Sequence, residues 1–257
     1  VAEPSASQPD EINLFYRVQA AFAAAAMGAH RGAAVLAPDC YLPSVGLLVA
    51  RDNHLALAAK AGHNGESHNH NDVGSFTLYK DGRPLLIDIG VETYTAKTFS
   101  AQRYDIWTMQ SAWHNLPTFD GVMQRDGREF AASDVEISLQ DHRAAMSMQL
   151  AGAYPAAAGV RSYRRRVVLE KGRGVGIEDE HDGDAAAELS LILAEEPRLG
   201  DGRITLPGLA EIEIEGGGHL RLETIEVDNG RLRLAWPRLL YRVLVPLSGH
   251  KLRLWIA

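Results

Sequence analysis

Gly74-Ser75-Phe76-Thr77-Leu78-Tyr79-Lys80-Asp81-Gly82-Arg83-Pro84-Leu85-Leu86-Ile87-Asp88-Ile89 sets two strand-like runs, Gly74 to Lys80 and Pro84 to Ile89, around a Lys80-Asp81-Gly82 turn. Short β-type runs punctuated by Gly, Asp and Pro are the mark of antiparallel sheets joined by hairpins. The same punctuation extends in both directions from Tyr41 onward. It gives candidate strands at Gly46 to Arg51, Leu55 to Ala61, Asp134 to Leu139, Ala144 to Leu150, Ser162 to Glu170 and Gly174 to Glu178. Further candidates are Glu188 to Ala194, Ala210 to Glu215, Leu220 to Val227, Leu232 to Trp236, Leu240 to Leu247 and Lys251 to Ile256. The fold class expected is all-β, a two-sheet antiparallel β-sandwich.

The N-terminal stretch departs from this pattern. Residues 10 to 29 have helical character, with Asp10 placed as N-cap, Leu14, Val18, Ala21 and Phe22 near one face, and a run of helix-favouring alanines. The expected organisation is therefore a helical segment and linker over 1–40 and a sandwich domain over 41–257. The interval from Thr93 to Leu116 lacks alternation and carries Tyr94, Arg103, Tyr104, Trp107 and Trp113. A long aromatic loop on a β-scaffold is a usual place for function.

Bulk properties narrow the function classes. The chain has 257 residues, 46% of them hydrophobic, enough to bury a sizeable core. Its net charge of -7 argues against nucleic acid or an anionic membrane as partner, since both require a broad basic surface. Arg161, Arg164, Arg165 and Arg166 fall on one candidate strand, where a solvated face is expected rather than a track for a polyanion. The single cysteine, Cys40, excludes an intrachain disulfide and is expected to be a small buried hydrophobe. Val1-Ala2-Glu3-Pro4-Ser5 has neither the basic start nor the apolar core of a signal peptide, and Ala20 to Met27 is too short to span a bilayer. With no initiator methionine, a mature or excised fragment is expected.

Chemistry concentrates in His68-Asn69-His70-Asn71-Asp72, Asp88 and Trp113-His114-Asn115. Asp88 stands among apolar neighbours, where a carboxylate is costly unless a cation offsets it. His70 lies before it and His114 after it, so a loop, a strand and a second loop can supply two imidazoles and a carboxylate. That donor set suits zinc in a tetrahedron with a fourth position left over. The alternative is that Asp88 caps the Ile89-Gly90 turn while His70 bonds to backbone. In an extended segment His68 points to the same side as His70, so it either joins the metal or stays free for chemistry. Asn69, Asn71 and Asp72 are expected to lock the loop, with Asn69 or Asn71 also able to face a substrate. In Arg103-Tyr104 a guanidinium able to grip a carboxylate sits beside a phenol able to carry a proton. The competing reading is a surface arginine beside a packed tyrosine.

Taken together, Gly65-Glu66-Ser67-His68-Asn69-His70-Asn71-Asp72, Leu86-Ile87-Asp88-Ile89-Gly90, Arg103-Tyr104 and Trp113-His114-Asn115 resemble the C-terminal β-sandwich region of the heparinase II/III-like polysaccharide lyases. The resemblance implies one structural zinc held by His70, Asp88 and His114. It implies catalytic roles for His68 and Tyr104, and substrate contacts from Arg103 and Asn69. It also implies an N-terminal α/α toroid in the same protein, of which the 10–29 helix is the end or the connection. The substrate implied is an acidic, uronate-containing polysaccharide such as a glycosaminoglycan or alginate, cleaved by β-elimination in the periplasm or outside the cell. A homodimer stays open. Two rival readings of the residues remain: a non-catalytic carbohydrate-binding sandwich, and a metal-dependent hydrolase or oxygenase on a β-barrel.

Overall fold

The computed structural model describes residues 14–29 and 36–257. The chain divides between Ala37 and Pro38 into two compact units. In the first, a helix runs over Leu14–Ala29. The expected Asp10 cap lies outside the described residues. Leu14, Phe15, Tyr16, Val18 and Phe22 are exposed on this helix.

The second unit is the expected sandwich. One sheet runs in the order Cys40–Leu42, Leu47–Arg51, Leu55–Lys60, Phe76–Lys80, Arg83–Leu86, Ala187–Leu193, Leu239–Pro246 and Arg221–Glu226, with Pro117–Phe119 also pairing Ala187–Leu193. The other runs Arg198–Gly200, Arg203–Leu206, Ala210–Glu215, Lys251–Ile256, Gly174–Gly183, Val160–Glu170, Arg143–Gln149 and Ser133–Gln140. All pairings between these strands are antiparallel. A two-stranded ribbon, His63–Asn64 with Gly127–Ala131, completes the set. Asp81 (φ 51°) and Gly82 (φ 76°) are both left-handed, so the turn between the two quoted runs matches the twist of its strands.

Strand alternation produces the core. Leu48, Leu57, Phe76 and Leu78 from the first sheet face Met146, Val167, Leu169, Ile177 and Leu254 from the second. Ala187–Leu193 is buried on both faces, because Leu191 enters this core while Ile192 points the other way. Ile192 joins Ile87, Ile89, Ile225, Val227 and Leu240 in a second cluster, closed by Trp107, Trp113 and Trp236. The long aromatic loop is thus a roof over the outer face of the first sheet, anchored by its own tryptophans.

Three expectations need correction. Leu232 to Trp236 is not a strand: Leu232–Leu234 forms a 3-10 turn, with Arg233 N–H bonded to the Asn229 carbonyl and Trp236 N–H to that of Leu232. Leu232 tucks into the second cluster, and Pro237 ends the element. Arg165 is not on a solvated face but 0% exposed, because alternation turns it inward with Tyr163 and Val167. Its neighbours Arg161 and Arg166 pair outside with Asp182 and Glu178. Cys40, finally, is half-buried rather than buried.

Candidate metal centre and cleft histidine

The strand carrying Asp88 stops at Leu86, so Asp88 stands just beyond a sheet end rather than inside a strand. Asn115 explains how the sheet opens there without leaving backbone groups unpaired. Its side-chain amide donates to the Phe76 carbonyl (2.7 Å) and the Ile87 carbonyl (3.2 Å) and accepts from Ile192 N–H (2.8 Å). One buried amide therefore ties two strands to the segment leaving a third, where they separate.

Asp88 uses both oxygens. Oδ1 accepts from Gly90 N–H at 2.7 Å, which is the turn cap expected as the alternative, and Oδ2 meets His114 Nδ1 at 2.9 Å. The two readings of this residue are compatible. His70 completes the group: its ring lies 5.3 Å from that of His114, and ligand atoms of His70, Asp88 and His114 all fall within 4.8 Å of one another. Burial opposes ionisation of Asp88, yet the adjacent His114 outweighs it and holds the carboxyl well below its usual range. Burial likewise opposes charge on His114, and Asp88 overcomes it, raising the imidazole. Burial and then the like charge of His114 push His70 down, which keeps its ring neutral and its lone pair available.

The donor set fits a divalent ion on a structural observation. His114 is 1% exposed, and its Nε2 is buried with no hydrogen-bond partner. Native proteins seldom leave such an atom unpaired. Two imidazoles and a carboxylate are zinc donors, and a cation there would also offset the charge of Asp88.

His68 goes elsewhere. An extended loop would have placed both histidines on one side, but His68 adopts φ 59°, a left-handed conformation that a residue with a Cβ rarely takes. The turn throws its ring outward, exposed and nearly parallel to Tyr94 at 6.2 Å between centroids. Asn69 holds that turn. It is 8% exposed, and its side-chain amide donates to the carbonyls of Asn64 (2.6 Å) and His70 (3.1 Å). Its Oδ1 accepts from Tyr104 OH at 2.8 Å, and its backbone carbonyl accepts from Arg103 Nη2 at 2.9 Å. Arg103 Nη1 donates to the Thr98 carbonyl, at 2.9 Å. The geometry brings Arg103, Tyr104 and Asn69 together beside His68, with Arg103 and Asn69 bonded to the protein itself.

Asn71 and Asp72 lock the next part of the loop. Asn71 N–H donates to the Met109 carbonyl, and Asp72 accepts from Lys60 at 2.6 Å. Burial works against the Lys60 charge, but Asp72 and Glu66 raise its pKa.

Sequence reading gave no role to two residues that shape this site. Asn115 had as its only signal an amide lodged between His114 and an apolar run. Arg165 reaches across the core from the second sheet, donating to the carbonyls of Gly74 (2.9 Å) and Asn115 (2.7 Å) and gripping Asp179 at 2.6 and 2.7 Å. It thus clamps both loops that carry the histidines. The one sequence signal that separates it from the arginines on either side is strand parity, which puts it on the face of Tyr163 and Val167.

Comparison with known proteins agrees with this architecture. Three solved structures share the fold: a heparinase III gene product (TM-score 0.67, 17% identity, 95% of this chain and 39% of that one), a mutant of heparan sulfate lyase HepC from Pedobacter heparinus (0.65, 19%, 95% and 40%), and a further heparinase III (0.62, 16%, 82% and 35%). The chain therefore spans about two fifths of the length of the first two. Against curated proteins it has no match. No helix among the described residues is long and apolar enough to cross a membrane. Residues 35–227 match the family described as Heparinase II/III-like, C-terminal, and the chain belongs to that family.

Proposed function

We propose that this chain is the zinc-bearing sandwich portion of a polysaccharide lyase that cleaves a uronate-containing acidic polysaccharide by β-elimination. The observation that carries the reading is the divergence of the two histidines, His70 half-buried and gathered with Asp88 and the buried His114, and His68 displayed outside on a left-handed turn. Strain held in place by surrounding bonds is typical of functional residues. Here Asn69, Arg103 and Tyr104 supply those bonds.

In this reaction the C5–H bond of the uronate breaks, a C4=C5 double bond forms, and the C4–O4 bond breaks as O4 takes a proton. The chain's residues must offset the charge of the enolate-like intermediate and move two protons. His68 serves as base or as charge neutraliser. Tyr104, oriented by Asn69, is the phenol placed to carry a proton. Arg103 fixes the Asn69 turn and adds positive charge beside it. His70, Asp88 and His114 would hold zinc, which when bound would supply a fixed positive charge tying their loops together. The remaining groups belong to an N-terminal toroid of the same protein, and the setting is periplasmic or extracellular. The length of the structural neighbours supports a larger enzyme of this kind.

Two substitutions test the reading. His70→Ala is expected to lose zinc by metal analysis; full occupancy would remove His70 from the ligand set. In the intact enzyme His68→Ala is expected to retain zinc and abolish the absorbance rise of unsaturated uronate. Unchanged turnover there would remove His68 from the mechanism.

A further inference from the structure

Beside His68 lies a surface cluster that neither the metal group nor the proton-transfer groups include. Tyr94 is 37% exposed and Phe99 69% exposed, and their rings meet edge to face at 5.5 Å. The guanidinium carbon of Arg231 sits 4.8 Å from the centre of the Tyr94 ring. Arg231 arrives from a distant part of the chain, on a loop fastened to this one by Asn229 Oδ1, which accepts from Thr93 N–H (3.1 Å) and Thr93 Oγ1 (3.2 Å). The same oxygen accepts from Arg231 N–H at 3.0 Å, so the clamp also fixes the arginine's own backbone. Among the described residues the Arg231 guanidinium has no carboxylate within ion-pair distance. Arg161, Arg166, Arg203 and Arg221 all pair with acids.

An exposed arginine laid on an aromatic ring is pre-organised without being neutralised. Its face rests on the π-system while its N–H edge stays open for a two-point contact with an anion. Exposed aromatic faces beside it suit the apolar face of a sugar ring. Both features stand next to the imidazole displayed for catalysis.

We infer that Tyr94, Phe99 and Arg231 form a binding subsite for an anionic sugar unit of the substrate, Arg231 taking its carboxylate or sulfate and the aromatic rings its pyranose face. The inference deepens the lyase reading and rests on it. Tyr94 and Phe99 lie within the family match, which ends at residue 227, whereas Asn229 and Arg231 lie beyond it.

Affinity electrophoresis of this chain through gels containing an unsulfated polyuronate, a sulfated glycosaminoglycan or a neutral glucan tests it. Arg231→Gln is expected to weaken retention by the charged polymers about tenfold and to flatten its dependence on salt. Tyr94→Ala is expected to weaken retention similarly, whereas Tyr94→Phe keeps it, since only the ring is needed. A loss confined to the sulfated polymer assigns Arg231 to sulfate, and a loss with both assigns it to carboxylate; either upholds the subsite. Unchanged retention and salt dependence in Arg231→Gln, or an equal loss with the neutral glucan, overturns it. In the intact enzyme Arg231→Gln is expected to raise KM about tenfold with kcat retained. No unsaturated uronate formed by the unaltered intact enzyme on any of the charged polymers would instead overturn the lyase reading and leave the binding result standing.

Discussion

Asn115 does at one residue what a longer strand pairing would otherwise do. Its side chain satisfies two carbonyls and one N–H, from two strands and the segment just past the end of a third, at the point where Asp88 leaves the sheet. Asn115→Ala would leave those buried groups unpaired, at about 1–3 kcal/mol for each one left unsatisfied. The expected outcome is a loss of about 3 kcal/mol in urea unfolding, allowing for partial relaxation, together with weaker zinc retention because His114 is its neighbour. A stability change of only a few tenths would show that the strands re-pair without it. Asn69 works similarly on the other loop, where its amide and carbonyl oxygen tie the His68 turn to Tyr104 and Arg103.

At the scale of elements, the histidine loop is joined to its strand by a tight passage at Gly74. Its φ of 93° lies in the region that favours glycine, and a Cβ there would sit 2.5 Å from Leu150 Cδ1. Gly74 N–H also donates to the Lys60 carbonyl, and its own carbonyl accepts from Arg165. Gly74→Ala is therefore expected to cost more than about 1 kcal/mol, from conformational strain plus overpacking. Thermal unfolding should show it, while Gly82→Ala, with open space around its Cβ, should cost only the conformational part. The Asp81-Gly82 turn was readable because its chemistry is local. The Leu232–Leu234 turn was misread as strand because its leucines alternate, and only the second cluster, which takes Leu232 and leaves Leu234 85% exposed, breaks that alternation.

Across the whole molecule the two sheets are joined by more than apolar packing. Arg165, fully buried, pairs with Asp179 and reaches carbonyls on the opposite side of the core. Burial opposes its charge, and Asp179 outweighs burial, so it stays protonated. Arg165→Met would leave Asp179 uncompensated and is expected to destabilise the sandwich by about 3–5 kcal/mol in denaturant unfolding. Arg165→Met with Asp179→Leu should recover much of that loss, since it removes both charges. Acid sensitivity should arise partly at His181, whose pKa is lowered first by burial and also by nearby His250. Asp179, Asp182 and a hydrogen bond to the Gly249 carbonyl pull it the other way and lose. The folded state thus binds fewer protons at this site than the unfolded chain. Its contribution is complete above the ordinary histidine value of about 6.5 and is lost as pH falls through the lower folded value. Urea midpoints of wild type are expected to drop more steeply below pH 6.5 than those of His181→Gln. Parallel curves would remove His181 from the acid response.

The sequence by itself determined the sandwich, most of its strands, and the three side chains that gather into a metal-competent group. Alternation, turn chemistry and a carboxylate stranded among apolar residues are local signals, and they survive into the fold. The resemblance already parted the two histidines, but only the tertiary structure showed how, because the left-handed turn at His68 depends on bonds from Arg103 and Tyr104, more than thirty residues away. It alone also set Arg165 against the carbonyls of Gly74 and Asn115 and brought Arg231 onto Tyr94, since both depend on long-range contacts that no local pattern encodes.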